Sequence, residues 1–216
     1  MKSRSLYLLI AIWTIAVCIS FFWNLHFTKK DTNNIVLNKA KSFFEQIVVT
    51  RSWNASHGGI YVLQDEMNQP NPYIIDSLRD LITTNGIKLT KINPAYMTRQ
   101  IAEINEEKNK LKFHITSLNP IRKENKADDW EVKALSNFSK TNLEILEYIK
   151  NDTLSQYRYM APLFTTQNCL QCHAYQGYKI GDIRGGISVS FPSKDFIDSE
   201  ERQIKSLIYV HSLLLF

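Results

Sequence analysis

The stretch Asn168–Gly177, NCLQCHAYQG, holds two of the chain's three cysteines, with two residues between them and a histidine directly after the second. Thiols at this spacing could form a disulfide, supply half of a zinc site, act as a redox dithiol or anchor a haem covalently. A disulfide between Cys169 and Cys172 would close a very small loop and add little stability. A structural zinc needs four ligands, and the sequence has no second cysteine pair. A thioredoxin-like site needs its cysteines at a helix start within a βαβ unit, and neither flank has that pattern.

Covalent haem attachment uses all three residues of the motif. Each thiol can add to one vinyl group of the porphyrin, and the following residue then falls beneath the iron, where a histidine supplies an imidazole nitrogen. The spacing therefore predicts one covalently attached haem c, with Cys169 and Cys172 as the thioether anchors and His173 as the proximal iron ligand. Because c-type haem is attached on the outer side of the bacterial inner membrane, we expect this domain to be periplasmic.

The sixth ligand of the iron is a choice among two histidines and two methionines. His57 precedes Gly58–Gly59, where the backbone could approach a flat macrocycle closely, and it is the first candidate. His114 lies on the polar side of a predicted strand and is the second candidate. Met97 and Met160 occupy apolar patterns, so we interpret both as core residues.

Arginine side chains are the expected partners of the haem propionates, because a guanidinium fork matches a carboxylate. Arg184 is the nearest of them in sequence to the cysteine motif and is the predicted contact. The further candidates are Arg99, Arg122 and Arg158.

The segment from Ser5 to Thr28 contains no Asp, Glu, Lys or Arg. As a helix it would be roughly 36 Å long, enough for a hydrocarbon core of about 30 Å. We predict an uncleaved transmembrane helix at 5–28, a cytoplasmic N-terminus at 1–4 and a periplasmic domain at 29–205. The apolar end 206–216 is too short to cross a bilayer, and we expect it to be the truncated start of a second membrane helix. The expected location is the bacterial inner membrane.

Composition argues against several other functions. Lys and Arg outnumber Asp and Glu by 26 to 21, but they are scattered and form no block that would grip nucleic acid. No Ser-His-Asp order or nucleophile elbow is present. The acidic group at Asp128, Asp129 and Glu131 is interpreted as solvated charge at a helix start. We therefore expect an input domain that binds no nucleic acid and is not itself an enzyme.

Helical and strand patterns alternate between the two apolar ends, which predicts an α+β, PAS-like sensor domain flanked by membrane helices. The long helix before it is expected to continue the transmembrane helix outward. The predicted helices cover 31–50, 94–106, 130–138, 141–149 and a segment from Pro192 into the apolar end. The predicted strands cover 60–63, 111–116, 157–163 and 186–191.

Six segments in order resemble a family of PAS-like, c-type-haem periplasmic sensor domains that is catalogued as a domain of unknown function. The resemblance covers about residues 31–191 and implies that Cys169 and Cys172 attach haem and that His173 is its proximal ligand. Members of that family typically precede histidine kinases, diguanylate cyclases or chemoreceptor modules. The segments are RSWNASHGGIYV (51–62), INPAYMTRQ (92–100), FHITSLNPIR (113–122), DWEVKAL (129–135), YRYMAPLF (157–164) and CLQCHAYQGYKIGDIRGGISVS (169–190).

Two functions fit these features. The first is a membrane-anchored haem sensor that detects a redox change or a small gaseous ligand at the iron and relays it through the membrane helices, with a homodimer formed through the N-terminal helix. The second is a membrane-tethered monohaem electron carrier. A carrier needs only one tether, so the second apolar end favours the sensor.

Overall fold

The computed structural model describes residues 2–139, 141–151 and 154–215, apart from the side chains of Lys2, Gln171 and Cys172. Helices and antiparallel strands are mixed, as the predicted α+β class requires. The α-helices and strands of this described part are α1 (Lys2–Ser56), β1 (Ile60–Leu63), β2 (Asp80–Ile82), β3 (Lys88–Ile92), α2 (Pro94–Asn109), β4 (Lys112–Thr116), α3 (Asp129–Asn137), β5 (Ile145–Lys150), β6 (Ser155–Phe164), α4 (Gln167–His173), β7 (Ile183–Pro192) and α5 (Lys194–Leu215).

Helix α1 is one continuous helix of 55 residues, which confirms that the apolar segment continues into the helix that follows it. No glycine or proline interrupts it, so nothing in the sequence breaks the backbone hydrogen bonding. It ends just before Gly58 and Gly59, which adopt φ values of +70° and +96° and reverse the chain direction. Among the described helices, α1 alone is long and apolar enough to cross a membrane.

The chain forms two compact units. The first contains residues up to Lys39 and from Ser193 onward, so it consists of most of α1 together with α5. Trp13 Nε1 donates a hydrogen bond to the carbonyl of Leu214 at 2.7 Å, and Ser20 Oγ lies 3.2 Å from His211 Nε2. The last turns of α5 therefore lie beside the predicted membrane-spanning part of α1.

The second unit covers Ala40–Pro192 and contains two antiparallel sheets, of order β1-β3-β2 and β4-β7-β6-β5. One face of the four-stranded sheet is apolar, and Ile187 and Val189 of β7 are completely buried on it. The part of α1 in this unit covers that face, where the Phe44 ring meets Tyr159 edge-on at 6.0 Å between centroids. This packing holds the end of α1 against the sheet.

The predicted helix at 141–149 is wrong. Ile145–Lys150 forms strand β5, which pairs with β6 from Ile145↔Met160 to Lys150↔Ser155. The segment is rich in β-branched and aromatic residues, which suit a strand, and its pairing with β6 decides the structure. Strands β2 and β3 were also not predicted, since both are short and only β1 beside them has a clear apolar run.

The other face of the four-stranded sheet carries a buried carboxylate. Glu131 opens α3 in a capping box with Asp128: the Glu131 N–H donates to Asp128 Oδ1 at 2.9 Å, and the Asp128 N–H donates to Glu131 Oε2 at 3.1 Å. The Glu131 side chain has no exposed surface, so its interpretation as a solvated charge is wrong. It accepts hydrogen bonds from His114 at 2.9 Å and from the Ser188 hydroxyl, and Arg158 lies 3.3 Å away.

Both members of the His114–Glu131 pair have shifted pKa values. The hydrogen bond to Glu131 raises the pKa of His114, although burial opposes that rise. Burial alone would raise the pKa of Glu131, but the hydrogen bonds from His114 and Ser188 outweigh it and lower the pKa to about 2. Both shifts favour the ionic form of the pair, which fixes α3 to the sheet.

Replacement of His114 by Gln is expected to reduce stability in a pH-dependent way. Because the folded pKa of His114 is raised, its contribution is complete below the unfolded value of about 6.5 and is lost as pH rises through the folded pKa. The difference in unfolding free energy between the wild type and His114→Gln should therefore be larger at pH 6 than at pH 9, measured by denaturant titration of the detergent-solubilised chain. A difference that does not change with pH would contradict an ionic pair.

Replacement of Gly185 by Ala is expected to destabilise the fold by about 3 kcal/mol. An added Cβ would lie 2.2 Å from the Thr116 carbonyl oxygen, a backbone atom of the adjoining strand that has no freedom to move aside. Gly86→Ala is the matched control: it meets nothing within 4 Å but has φ +83°, so it should cost about 1 kcal/mol. Equal losses in the two variants, measured by thermal unfolding, would contradict close strand packing at Gly185.

Candidate functional site

The cysteine–histidine motif lies in the short helix α4, whose seven residues end at His173. Thr166 occupies the N-cap position in an extended conformation, and its Oγ1 lies 3.2 Å from Cys169 Sγ. The i, i+3 spacing puts positions 169 and 172 on one side of the helix, but the Cys172 side chain lies outside the described residues. Helix α4 could not be predicted from the sequence, because two turns are too short to show a helical period.

His173 is held in a defined orientation. Its Nδ1 lies 2.7 Å from Gln176 Oε1, and Gln176 Nε2 donates to the Asn119 carbonyl at 3.1 Å. Since an amide oxygen only accepts, Nδ1 carries the proton and Nε2 keeps its lone pair. Burial, followed by the positive charge of Arg184, lowers the pKa of His173 to about 4. The imidazole is therefore neutral at physiological pH, which is the form that binds a metal.

Two arginines lie beside this histidine. Arg184 is near the start of β7, where its carbonyl accepts a hydrogen bond from Ser117 Oγ at 2.8 Å, and its charge lowers the pKa of His173 and of Arg51. Arg51 belongs to α1, and burial is the main cause that lowers its pKa to about 10. The thiol of Cys169 acts on the same guanidinium. The structure thus brings Cys169, His173 and Arg184 together and adds Arg51, which the sequence analysis did not single out.

Arg51 belongs to one of the segments that resemble the haem-sensor family, but no motif around it indicates a haem contact. It is the first residue of RSWNASHGGIYV, at the end of a helix pattern, where a basic residue is ordinarily a surface charge. Its proximity to Arg184 depends on the way α1 packs on the sheet. Only the tertiary structure could therefore identify it.

The two candidate sixth ligands are in different states. His57 follows α1 on an exposed turn, where Nδ1 donates to the Trp53 carbonyl at 2.8 Å, and this bond leaves Nε2 as the nitrogen with a lone pair. His114 uses Nδ1 for Glu131 and Nε2 for the Glu124 carbonyl, at 2.9 and 3.0 Å. While His114 donates from both nitrogens, it has no lone pair to offer a metal. The identity of the sixth ligand stays a prediction.

The remaining candidates pack or pair elsewhere. Met160 is completely buried against Ala134 and Leu135, and Met97 packs with Ile92, so both are core residues as interpreted. The three further arginines each have a carboxylate close by: Arg99 with Glu103, Arg122 with Glu124, and Arg158 with Asp128. Arg184 is accordingly the sequence-predicted arginine that lies at the motif.

The chain is similar to one solved structure and to one family model. Among solved structures, the chain is similar to the cyanobacterial haem protein Tll0287, with 18% sequence identity and a TM-score of 0.48 over 73% of this chain and 94% of that one. No curated protein matches the chain.

A family model gives a broader match. The model of the Tll0287-like family covers residues 29–192, which include α4, both arginines of the site and all seven described strands. This is well over half of the 216 residues. The chain therefore belongs to the Tll0287-like family.

Proposed function

We propose that this chain is a membrane-anchored, periplasmic sensor domain that carries one covalently attached haem c. In this proposal Cys169 and Cys172 attach the porphyrin and His173 is the proximal iron ligand. The observation that carries it is the state of His173, which is neutral, half-buried and oriented by Gln176 directly after the cysteine pair. The family's namesake, described as a haem protein, supports the same assignment.

The residues at the site fit the group. A metal-binding histidine characteristically donates its second ring N–H to a carbonyl or carboxylate, which fixes the tautomer and the ring orientation. His173 makes this bond to Gln176, and the Asn119 carbonyl holds Gln176 in place through its amide. The guanidinium groups of Arg51 and Arg184 supply positive charge nearby, as the two carboxylates of a haem require.

Haem, when bound, would supply an iron that changes oxidation state or takes a small gas such as NO, CO or O₂. The chain's own contribution is to connect this site to two helices. Arg51 is in the last turns of α1, and β7, which begins beside the site with Ile183 and Arg184, leads into α5 two residues after it ends. Both helices carry the apolar segments expected to enter the membrane, and packed helices can transmit shifts of about 1–2 Å.

The proposal describes an input domain rather than an enzyme, and it includes a homodimer formed through α1. A tethered electron carrier would use the same attachment chemistry but would need an unchanging, filled sixth position. Its distinguishing result is a reduced spectrum that CO does not alter, together with fast reversible electron exchange. A sensor of a gas or of redox state would instead change its iron ligation when CO or an oxidant is added.

Haem attachment is expected to depend on the motif cysteines and not on the third cysteine. Made in a host that matures c-type cytochromes, the chain should be coloured and heavier than the bare polypeptide by one haem. The double variant Cys169→Ala/Cys172→Ala should be colourless, and Cys18→Ser, in the membrane-spanning segment, should keep full attachment. Mass spectrometry and visible spectra of oxidised, reduced and CO-treated protein measure this. A colourless wild type with the mass of bare polypeptide would refute the proposal.

The Gln176 hydrogen bond is expected to tune the reduction potential of the iron. An acceptor on Nδ1–H makes the imidazole a stronger donor and so favours the ferric state. Gln176→Leu should raise the midpoint potential and Gln176→Glu should lower it, as measured by spectroelectrochemistry. Gln167→Leu, an exposed substitution at the start of the same helix, is the matched control and should leave the potential unchanged. Identical potentials in all four proteins would argue that His173 is not the ligand.

A further inference from the structure

We infer that Arg51 binds a haem propionate and so links the haem to helix α1. This inference rests on the proposed function, since it needs the haem to be present, and it adds a contact that joins the site to the helix expected to enter the membrane. Its basis is the position of the guanidinium, the nature of its present partners and the charge around it.

The position of Arg51 is fixed by neutral groups. Its Nη1 donates to the Pro94 carbonyl at 3.1 Å and to Thr98 Oγ1 at 3.0 Å, both in the first turns of α2. Thr98 is completely buried and its hydroxyl also donates to the Pro94 carbonyl. These bonds hold the guanidinium between α1 and α2, and both of them come from Nη1. Nη2 and Nε are therefore available, within the described part of the chain, for a planar anion.

Arg51 has no carboxylate counter-ion among the described residues. No carboxylate of the described residues lies within ion-pair distance of it. Burial is the main cause that lowers the pKa of Arg51, followed by the charge of a second cation, Arg184, whereas the Cys169 thiol acts in the opposite direction. Placing a half-buried cation beside a second cation is unfavourable unless an anion joins them.

Other arginines of this unit, whose role is structural, each pair with a carboxylate. Arg158, which is 14% exposed, pairs with Asp128 at 2.8 Å, contacts Glu131 and stacks on the Trp130 ring at 4.3 Å. Arg79 pairs with Asp80 at 2.6 Å. Arg51 is half-buried in the same way but has no carboxylate partner among the residues that the structure describes. The geometry points to an anion that arrives with the ligand, and a haem brings two carboxylates to a site with two guanidiniums.

An Arg51–propionate contact would connect the haem to the helix that is expected to enter the membrane. Arg51 lies five residues before the end of α1 at Ser56, and the helix runs without interruption from there to the charge-free segment 5–28. A salt bridge between Arg51 and a propionate would therefore make α1 a direct partner of the haem. A change in charge at the iron would alter the strength of that salt bridge.

The test compares haem-loaded and haem-free protein, using the full chain in detergent. Haem-free protein is obtained with Cys169→Ala/Cys172→Ala. In the haem-loaded form, Arg51→Gln should lower Tm by roughly 5 °C, because a charge-assisted bond is lost. In the haem-free form the same change should lower Tm clearly less, because the bonds to Pro94 and Thr98 are lost but the repulsion with Arg184 is relieved. An equal loss in both forms would overturn the inference, since it would indicate that Arg51 only holds α2.

The midpoint potential gives a second readout that a purely structural role would not move. Arg51→Gln removes a positive charge near the iron, so the ferric state is favoured and the potential should fall. Arg51→Lys keeps the charge and should retain most of the wild-type potential. Arg79→Gln, which removes the arginine directly before β2, is the matched control and should have no effect. An unchanged potential in Arg51→Gln overturns the inference while haem attachment stays intact, whereas a wild type without haem refutes the proposed function itself.

Discussion

The hydrogen bond between His173 and Gln176 is the constraint on which the site depends. A neutral imidazole can bind iron only if the correct nitrogen carries the lone pair, and the acceptor on Nδ1 decides this. Helix α4 is too short to hold such an arrangement by itself, because helices of two turns are unstable in isolation. It is positioned from both ends: the Thr165 N–H donates to the Asp182 carbonyl, and Gln176 reaches the Asn119 carbonyl. The motif is therefore local in sequence, but its geometry depends on three separate loops.

The four-stranded sheet separates two kinds of interior. On one face the side chains of β7 and β6 are apolar and pack against α1. On the other face Glu131 is buried among His114, Ser188 and Arg158. A buried carboxylate is strongly unfavourable when it is unpaired, so this network specifies how α3 meets the sheet. Strand β7 has side chains on both faces and carries Arg184 near its start. A strand of the core therefore also supplies a positive charge to the site.

Whether a feature could be predicted from the sequence depends on how far apart in the sequence the interacting residues lie. The cysteine–histidine motif lies within five residues, so its chemistry could be proposed from the sequence alone. Helices α1 and α2 could be predicted because their periodic and capping signals are local. The segment 141–149 was misassigned because Leu143, Leu146 and Ile149 recur at helical spacing, and only its pairing with β6 makes it a strand. The burial of Glu131 and the position of Arg51 could not be predicted, because both depend on residues distant in the sequence.

The arrangement of charge also bears on the choice between sensor and carrier. An electron carrier functions best when its ligands and surroundings stay the same in both oxidation states, and a compact, isolated domain on one tether would suffice. Here the arginine nearest the histidine in sequence lies on the strand that leads into α5, and the second arginine lies on α1. Any group held by both would join the two segments of the chain that carry its apolar ends. In the proposed haem complex, each elementary charge gained or lost at the iron would change the electrostatic interaction of the haem with Arg51 and Arg184 together. An electron carrier gains nothing from that coupling, whereas a sensor that converts a change at the iron into helix movement requires it.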